Sequence, residues 1–382
     1  MTSSTTSEPR SSGEVPAWAR LVYLLVLLYG FLVAVSLMSA SFKAFGEGSA
    51  GGLFEGVTNP FAALAVGILA TVLVQSSSVT TSTIVALCGS GQLSLELAVP
   101  MVMGANIGTS VTNTMVSVGS VKRSAEFRRA FSCATVHDTF NYLAVLVLLP
   151  LELATGFLRH AAEWLSAALS FGGGAGGDFK SPIKVAVKEG TKLLQGTLEG
   201  LGLSGGWLAA LMLAVALGLI FLCLTQITKN MRVLLMARIE ASMNRVLGKS
   251  GLMGILVGAA VTVSVQSSSI TTSLLVPLCA AGILTLPNAF PITIGANLGT
   301  TVTALLASTA ADSTLGLTIA LVHLLFNLAG TLLFYPHPAM RRLPINGARR
   351  LALLATRSKM YLVAYLIGAF VLIPGLAILL FD

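Results

Sequence analysis

QSSSVTTS at Gln75–Ser82, followed by GANIGTSVT at Gly104–Thr112, decides how this chain is read. The pair returns 191 positions later, without a gap, as QSSSITTS at Gln266–Ser273 and GANLGTTVT at Gly295–Thr303. Hydroxyls or amides fill 75–78 and 80–83, positions that cover every face of a 3.6-residue helix. No rotation points them all away from lipid. Unpaired polar groups are costly in hydrocarbon, so each octet must be buried in protein or line a wet cavity. The apolar run before it, Phe61–Val74, is too short to span a bilayer and suits a re-entrant hairpin. Gly89-Ser90-Gly91 is then its turn or an exit, and Pro100 with Gly104 predicts a helix that breaks near Asn106.

Composition agrees with a membrane setting. Of 382 residues 55% are hydrophobic and only 10% charged, with a mean hydropathy of +0.87. Soluble domains carry about a quarter charged residues. Apolar runs of spanning length predict an all-α polytopic bundle rather than a barrel. The net charge of +8 flanks apolar segments, which reads as loop bias and not as nucleic-acid binding. Cys88, Cys133, Cys223 and Cys279 sit in apolar context without CxxC spacing, so no disulfide framework or metal site is expected.

Working outward, residues 1–16 form a Ser/Thr-rich tail. Spans are predicted at Trp18–Ala40, 130–151, Trp207–Thr228, 315–335 and Tyr361–Phe381. The first repeat covers 17–171, a loop on the outer side 172–206, and the second repeat 207–382. Residues 152–171 are amphipathic, 172–177 a glycine linker, and 178–200 a segment punctuated by lysines. Basic clusters fall at 122–129, 229–249 and 341–359, while 43–59 carries Glu47 and Glu55. The second octet is entered from a basic loop and the first from an acidic one. With Lys and Arg kept inside, the two repeats are inverted, the N-terminus lies inside and the C-terminus outside. Lys180, Lys184, Lys188 and Lys192 fall on the outer side, partly offset by Asp178, Glu189 and Glu199.

Paired hydroxyl-rich turns can donate to an anion or offer oxygen to a hard cation. Broken helix ends add positive dipole at N-termini and free carbonyls at C-termini. The glycines at 104, 108, 295 and 299 equally fit small-residue helix contacts. His137 and His323 read as satisfied polar residues of a bundle. Asp138, one helical turn before Asn141, is a carboxylate inside an apolar span and hence a functional candidate, with Arg128 or Arg129 as the alternative structural partner. No nucleophile–base signature, phosphate-loop lysine or zinc spacing occurs, so an enzyme is not expected.

Two QSSS segments, each followed by G-x-N-x-G-T, resemble the type II sodium-dependent phosphate cotransporter family. FRRAFSCATVHDTFNYLAVLVLLPLELATGFL at 127–158 and ALVHLLFNLAGTLLFYPHP at 320–338 strengthen the resemblance, which covers 17–381. It implies a plasma-membrane symporter that imports inorganic phosphate with sodium by alternating access, electrogenically, with no cofactor beyond sodium as the coupling ion. Phosphate is then expected at Ser76, Ser77, Ser78, Ser268 and Ser269. Sodium is expected among Gln75, Asn106, Thr109, Asp138, Asn141, Gln266, Ser267, Asn297, Thr300 and Thr303. Of these, Gln266, Ser267, Thr300 and Thr303 hold one ion, Asp138 the ion that makes transport electrogenic, and Asn141, beside Gln75, a third. Ala105 and Ala296 stand where members often have serine, and Lys122-Arg123-Ser124 where they carry an Asp-Arg pair, which leaves the sodium count open. The short 172–206 loop and the end after 381 match a bacterial-type minimal version. Alternatives are a symporter for another small oxyanion, a channel, or a non-transporting phosphate receptor.

Overall fold

The computed structural model describes residues 16–46, 57–171, 182–246, 251–311 and 313–381. Among them helices form and no strand does. The tail, the glycine linker at 172–177, Glu47 and Glu55 lie outside the described residues.

The first helix, α1 (Ala17–Gly46), is followed by two short helices, α2 (Pro60–Val74) and α3 (Ser77–Gly89). Asn59 caps α2 by accepting from the Phe61 amide at 2.8 Å, with Pro60 at the first helical position. What ends α2 is Gln75, in left-handed backbone at φ 56°, and what starts α3 is Ser76, extended at φ −153°. So the octet makes the turn itself, and Gly89-Ser90-Gly91 is the exit toward α4 (Leu95–Gly108) and α5 (Val111–Val118). The second repeat reproduces this in α10 (Gly251–Val265), α11 (Ser268–Ala280) and α12 (Leu286–Thr309), with Gln266 at φ 56° and Ser267 at φ −155°.

Glycines let each pair of helices touch backbone to backbone. A Cβ on Gly67 would lie 2.0 Å from Met101 O, and one on Gly104 2.0 Å from Leu64 O. In the second repeat Gly258 meets Ile292 O at 2.1 Å and Gly295 meets Ile255 O at 2.0 Å. Packing is therefore what Gly104 and Gly295 do, as in small-residue membrane contacts.

The expected helix break differs between halves. α4 continues past Asn106 to Gly108, and the break falls at Thr109-Ser110. In α12 the equivalent positions are one uninterrupted helix, despite Pro291 and Gly295. The difference tracks one residue. Ser110 and Thr301 both donate to the carbonyl three residues back, Ile107 O at 3.0 Å and Leu298 O at 2.7 Å, but Ser110 Oγ also meets His137 Nδ1 at 2.5 Å, while His323 Nδ1 is enclosed without a partner.

Among the described residues six helices are long and apolar enough to cross a membrane: Trp18–Ala44, Ser124–Thr155, Gly205–Met231, Leu286–Thr309, Thr314–Phe334 and Lys359–Phe381. Five match the sequence reading, and the unbroken α12 adds the sixth. The remaining elements are α6 (Ser124–Thr155), α7 (Phe157–Phe171), α8 (Pro182–Glu199), α9 (Gly205–Val246), α13 (Thr314–Phe334) and α14 (Pro338–Arg357). The last span is α15 (Lys359–Ile367), a π-turn at Gly368–Leu372 and α16 (Ile373–Phe381). Lysine-bearing α8 lies against α1, where Tyr29 donates to Ala186 O at 2.9 Å. The four cysteines are free and buried.

Candidate substrate and ion site

Both QSSS turns line one cavity of about 270 Å³. That is many times the ~30 Å³ share of one water. Its walls are Gln75–Val79 from one repeat, Gln266–Ser269 from the other, and Phe221, Leu224, Thr225 and Thr228 of α9. Within each turn the serines divide the work. Ser76 Oγ accepts from the Val79 amide at 3.3 Å, and Ser267 Oγ from the Ile270 amide at 3.4 Å, so both are N-caps. The hydroxyls of Ser77, Ser78, Ser268 and Ser269 make no hydrogen bond to another described residue. Yet Ser77, Ser78 and Ser268 are only 4%, 6% and 3% exposed. Buried hydroxyls normally find a partner. Three that do not, with half-buried Ser269, facing one cavity beside two helix N-termini, make a donor-rich and electropositive lining suited to an anion.

The glutamines are pinned by the second motif of their own repeat. Gln75 donates to Val72 O at 2.6 Å and accepts from Thr112 Oγ1 at 3.1 Å. Gln266 donates to Val263 O at 2.7 Å and accepts from Thr303 Oγ1 at 2.8 Å. Left-handed backbone costs a non-glycine residue roughly 1–2 kcal/mol, and such outliers cluster at ligand clamps. Thr109 and Thr300 donate to the carbonyls of Ala105 and Ala296, each at 3.0 Å, leaving lone pairs available for a cation.

The asparagines lie elsewhere, in a buried polar network that joins the repeats reciprocally. His137 of the first half meets Asn297 Oδ1 of the second, and His323 of the second meets Asn106 Oδ1 of the first at 3.1 Å. Asn106 donates to Asn327 Oδ1 at 2.9 Å, and Asn297 to Asn141 Oδ1 at 2.8 Å. Asn141 also donates to Asn106 O at 3.0 Å. Asn141 therefore bonds to Asn106 and Asn297, while Gln75 is held by Thr112, and no hydrogen bond joins Asn141 to Gln75. The reason is rotational: on α6, Asn141 follows His137 by one turn, on the face toward the facing half.

Asp138, next along α6, looks a different way. It is fully buried, and its Oδ2 accepts from the Tyr365 hydroxyl of the last span. Its Oδ1 is enclosed without a hydrogen bond. The closest basic atom is His137 Nδ1 at 4.0 Å. The neighbouring hydroxyls of Ser110 and Thr114 donate to Ile107 O and Ser110 O, and Ser110 Oγ also meets His137 Nδ1. Arg129 donates to Cys279 O and Ala280 O instead, and Arg128 engages no described residue, so neither arginine is the structural partner of this carboxylate.

Three residues escaped the sequence reading. Tyr365 lies 227 positions from its partner, beyond any local pattern. Asn113 accepts from Thr272 at 2.9 Å and Ser273 at 3.0 Å, tying α5 to α11. Its place in the second repeat is taken by Ala304, and Ser82, the counterpart of Ser273, is accordingly buried without a partner. Thr228 of α9 lines the cavity between the turns; only its position near the end of an apolar span hinted at it.

A polytopic helical membrane protein built from two equivalent hairpin units, with hydroxyl turns meeting at one cavity, is the class that fold and site define. The Na+/Pi-cotransporter family model matches residues 31–172 and 211–343, and the chain belongs to that family. It is 35% identical over 426 residues to sodium-dependent phosphate transport protein 2A of Ovis aries, covering 92% of this chain and 66% of that protein. Against sodium-dependent phosphate transport protein 2B of Homo sapiens the identity is 34% over 445 residues, covering 93% of this chain and 64% of the relative. The chain thus spans a little under two thirds of the length of these relatives. No solved structure matches it.

Proposed function

We propose that the chain is a sodium-coupled symporter that imports inorganic phosphate across the plasma membrane by alternating access. The observation that carries this reading is the convergence of four unpartnered serine hydroxyls and two helix N-termini on one cavity. The names of the relatives, sodium-dependent phosphate transport proteins, agree with it.

Phosphate is held by the hydroxyls of Ser77, Ser78, Ser268 and Ser269, with Ser76 contributing its remaining donor. First-turn amides of α3 and α11 supply positive potential without a fixed cation. That matters for release, since a lysine or arginine at the same place would bind the anion too firmly to let it go. One sodium is held at Gln266, Ser267, Thr300 and Thr303, all neutral oxygen donors of the kind a hard cation prefers. The first repeat offers the matching set at Gln75, Thr109 and Thr112. A further sodium neutralises Asp138, whose Oδ1 lacks a donor, and Asn106, Asn141 and Asn297 supply carbonyl oxygens between the halves. The substrates are then phosphate and sodium, the setting is the lipid bilayer, and no cofactor or nucleic acid takes part.

Charge placement supports inverted repeats. With α4 and α5 together covering the positions of the membrane-long α12, the chain makes seven crossings and two hairpins. The basic stretches at 122–129, 229–249 and 341–359 then fall on one side, the inside. Two hairpins entering from opposite faces toward one site fit the inverted-repeat architecture of many alternating-access transporters.

Radiolabelled phosphate uptake into proteoliposomes tests the reading. Accumulation driven by an inward sodium gradient, and abolished when potassium replaces sodium, is expected. Uptake indifferent to sodium refutes the coupling; accumulation of labelled sulfate in preference to phosphate makes it a symporter for another oxyanion. Saturable binding without accumulation makes it a receptor.

A further inference from the structure

A second cavity, of about 400 Å³, lies away from the QSSS turns, where the start of α6, the α11–α12 connection and α14 meet. Among the described residues three arginines line it, Arg128, Arg129 and Arg349, together with apolar Leu284, Leu286 and Leu353, and no acidic residue does. Arg129 is already spent. Its Nε and Nη2 donate to Ala280 O at 2.9 and 2.6 Å, closing the C-terminal end of α11 against α6. Arg128 and Arg349 make no hydrogen bond or ion pair with any described residue. Two uncompensated guanidiniums on one cavity repel each other until an anion joins them, and guanidinium forks suit phosphoryl oxygens.

The helix that brings Arg349 there says which anion. α14 buries Ile345, Ala348, Ala352 and Ala355 in the protein. Its other side exposes Leu343, Leu353 and Leu354 (48%, 46% and 39%) among exposed Arg342, Arg349 and Arg350. Exposed leucines alternating with arginines are out of place in water. They fit a helix lying at a bilayer surface, its leucines among acyl chains and its guanidiniums at headgroup level. The cavity opens between this helix and the ends of two spans, the kind of basic pocket in which anionic headgroups lodge. We propose that it holds the phosphate headgroup of an anionic membrane phospholipid, with the acyl chains along its apolar wall. Free phosphate gains nothing from the leucine wall, and a lipid of zero net charge gains little from two unpaired arginines. The site goes beyond the transport reading and stands without it.

Native mass spectrometry of the full detergent-purified chain, titrated with phosphatidylglycerol, phosphatidylcholine or inorganic phosphate, is the test. The wild type should retain phosphatidylglycerol in preference to phosphatidylcholine. Arg128→Gln/Arg349→Gln should bind it about twenty-five-fold more weakly, at about five-fold per arginine near a membrane surface. Arg342→Gln/Arg350→Gln removes the same charge from the same helix outside the cavity and should bind nearly as the wild type does. Leu353→Trp, which narrows the wall without changing charge, should also weaken retention and carries the test if the double variant is unstable. Equal retention by the wild type and both cavity variants, or equal binding of the two lipids, overturns the proposal. Displacement of the lipid by an equal concentration of inorganic phosphate also overturns it, assigning the cavity to the free anion.

Discussion

Replacing Asp138 by asparagine removes one charge and little else. The side chain keeps its volume and an oxygen for the Tyr365 hydroxyl, so the last span keeps its contact with α6. What disappears is a fully buried carboxylate whose second oxygen has no donor and whose closest basic atom is 4.0 Å away. Holding such a charge inside a membrane costs about 2.5–3.5 kcal/mol even on the mild insertion scale, so a cation is expected to accompany it during transport. If phosphate crosses as a dianion with two other sodium ions, the ion at Asp138 gives the cycle one net positive charge. One charge moved through 100 mV is worth about 2.3 kcal/mol, or roughly fifty-fold in accumulation. The assay is phosphate uptake into proteoliposomes clamped by potassium and valinomycin, with charge and phosphate counted together. The wild type should carry one charge per phosphate and accumulate more as the interior becomes negative. Asp138→Asn should still take up phosphate with sodium but lose the charge and the voltage dependence. An unchanged ratio of charge to phosphate in the variant would refute the reasoning and place the uncompensated charge elsewhere.

Ser77→Ala and Ser268→Ala each remove one unpartnered hydroxyl from opposite walls of the cavity, and each should raise the KM for phosphate roughly ten-fold at about 1–1.5 kcal/mol per lost hydrogen bond, measured by uptake at varied phosphate. Normal uptake by the double variant at limiting phosphate would remove the substrate assignment. Thr303→Val unpins Gln266 and removes an oxygen from the proposed sodium site, so half-saturation by sodium should rise at least ten-fold with maximal rate less affected; Thr225→Val, on the α9 wall, serves as the comparison. Gly295→Ala drives a Cβ to 2.0 Å from Ile255 O and should destabilise the purified protein by about 1–3 kcal/mol, read as a lower melting temperature. Gly218→Ala, with nothing within 4 Å, should melt at or above the wild-type temperature.

What the sequence discloses about this fold follows from the range of the forces involved. Polarity on all faces of residues 75–83 requires burial by local arithmetic alone, and Ser77–Ser82 are indeed buried. The short run before Gln75 sets the hairpin through its length. The helix break did not transfer between halves, because Pro100 and Gly104 have counterparts in Pro291 and Gly295 and α12 still runs straight. Ser110, whose hydroxyl meets His137 from another helix, marks the difference, and a contact of that kind leaves no trace in helical periodicity. Asp138 and Asn141, three positions apart on α6, share roughly one face by periodicity, yet at about 60° apart around the helix they meet different partners, Tyr365 and Asn297. Charge bias carries orientation and nothing about partners.

If sodium and phosphate bind as proposed, the position of the glutamines offers a way to couple them. Gln266, Ser267 and Ser268 are consecutive: the first is pinned to Thr303, the second caps α11, and the third faces the cavity unpartnered. A chain advances at most about 3.6 Å per residue, so the backbones of Gln266 and Ser268 are no more than about 7 Å apart, and ions held there are taken at that order of separation. At an effective dielectric of 20 two opposite unit charges at that distance attract by about 2.4 kcal/mol, close to fifty-fold in affinity. The attraction needs no moving wire between distant sites. It requires only that the turn keep its left-handed residue, which costs about 1–2 kcal/mol unaided and which a cation bridging Gln266 and Thr303 would hold in place. On the proposed assignment, sodium would prepare the anion site twice, by its charge and by fixing the turn that presents Ser268. The first repeat, with Gln75 pinned to Thr112 in the same geometry, is equipped to do so from the other side of the cavity.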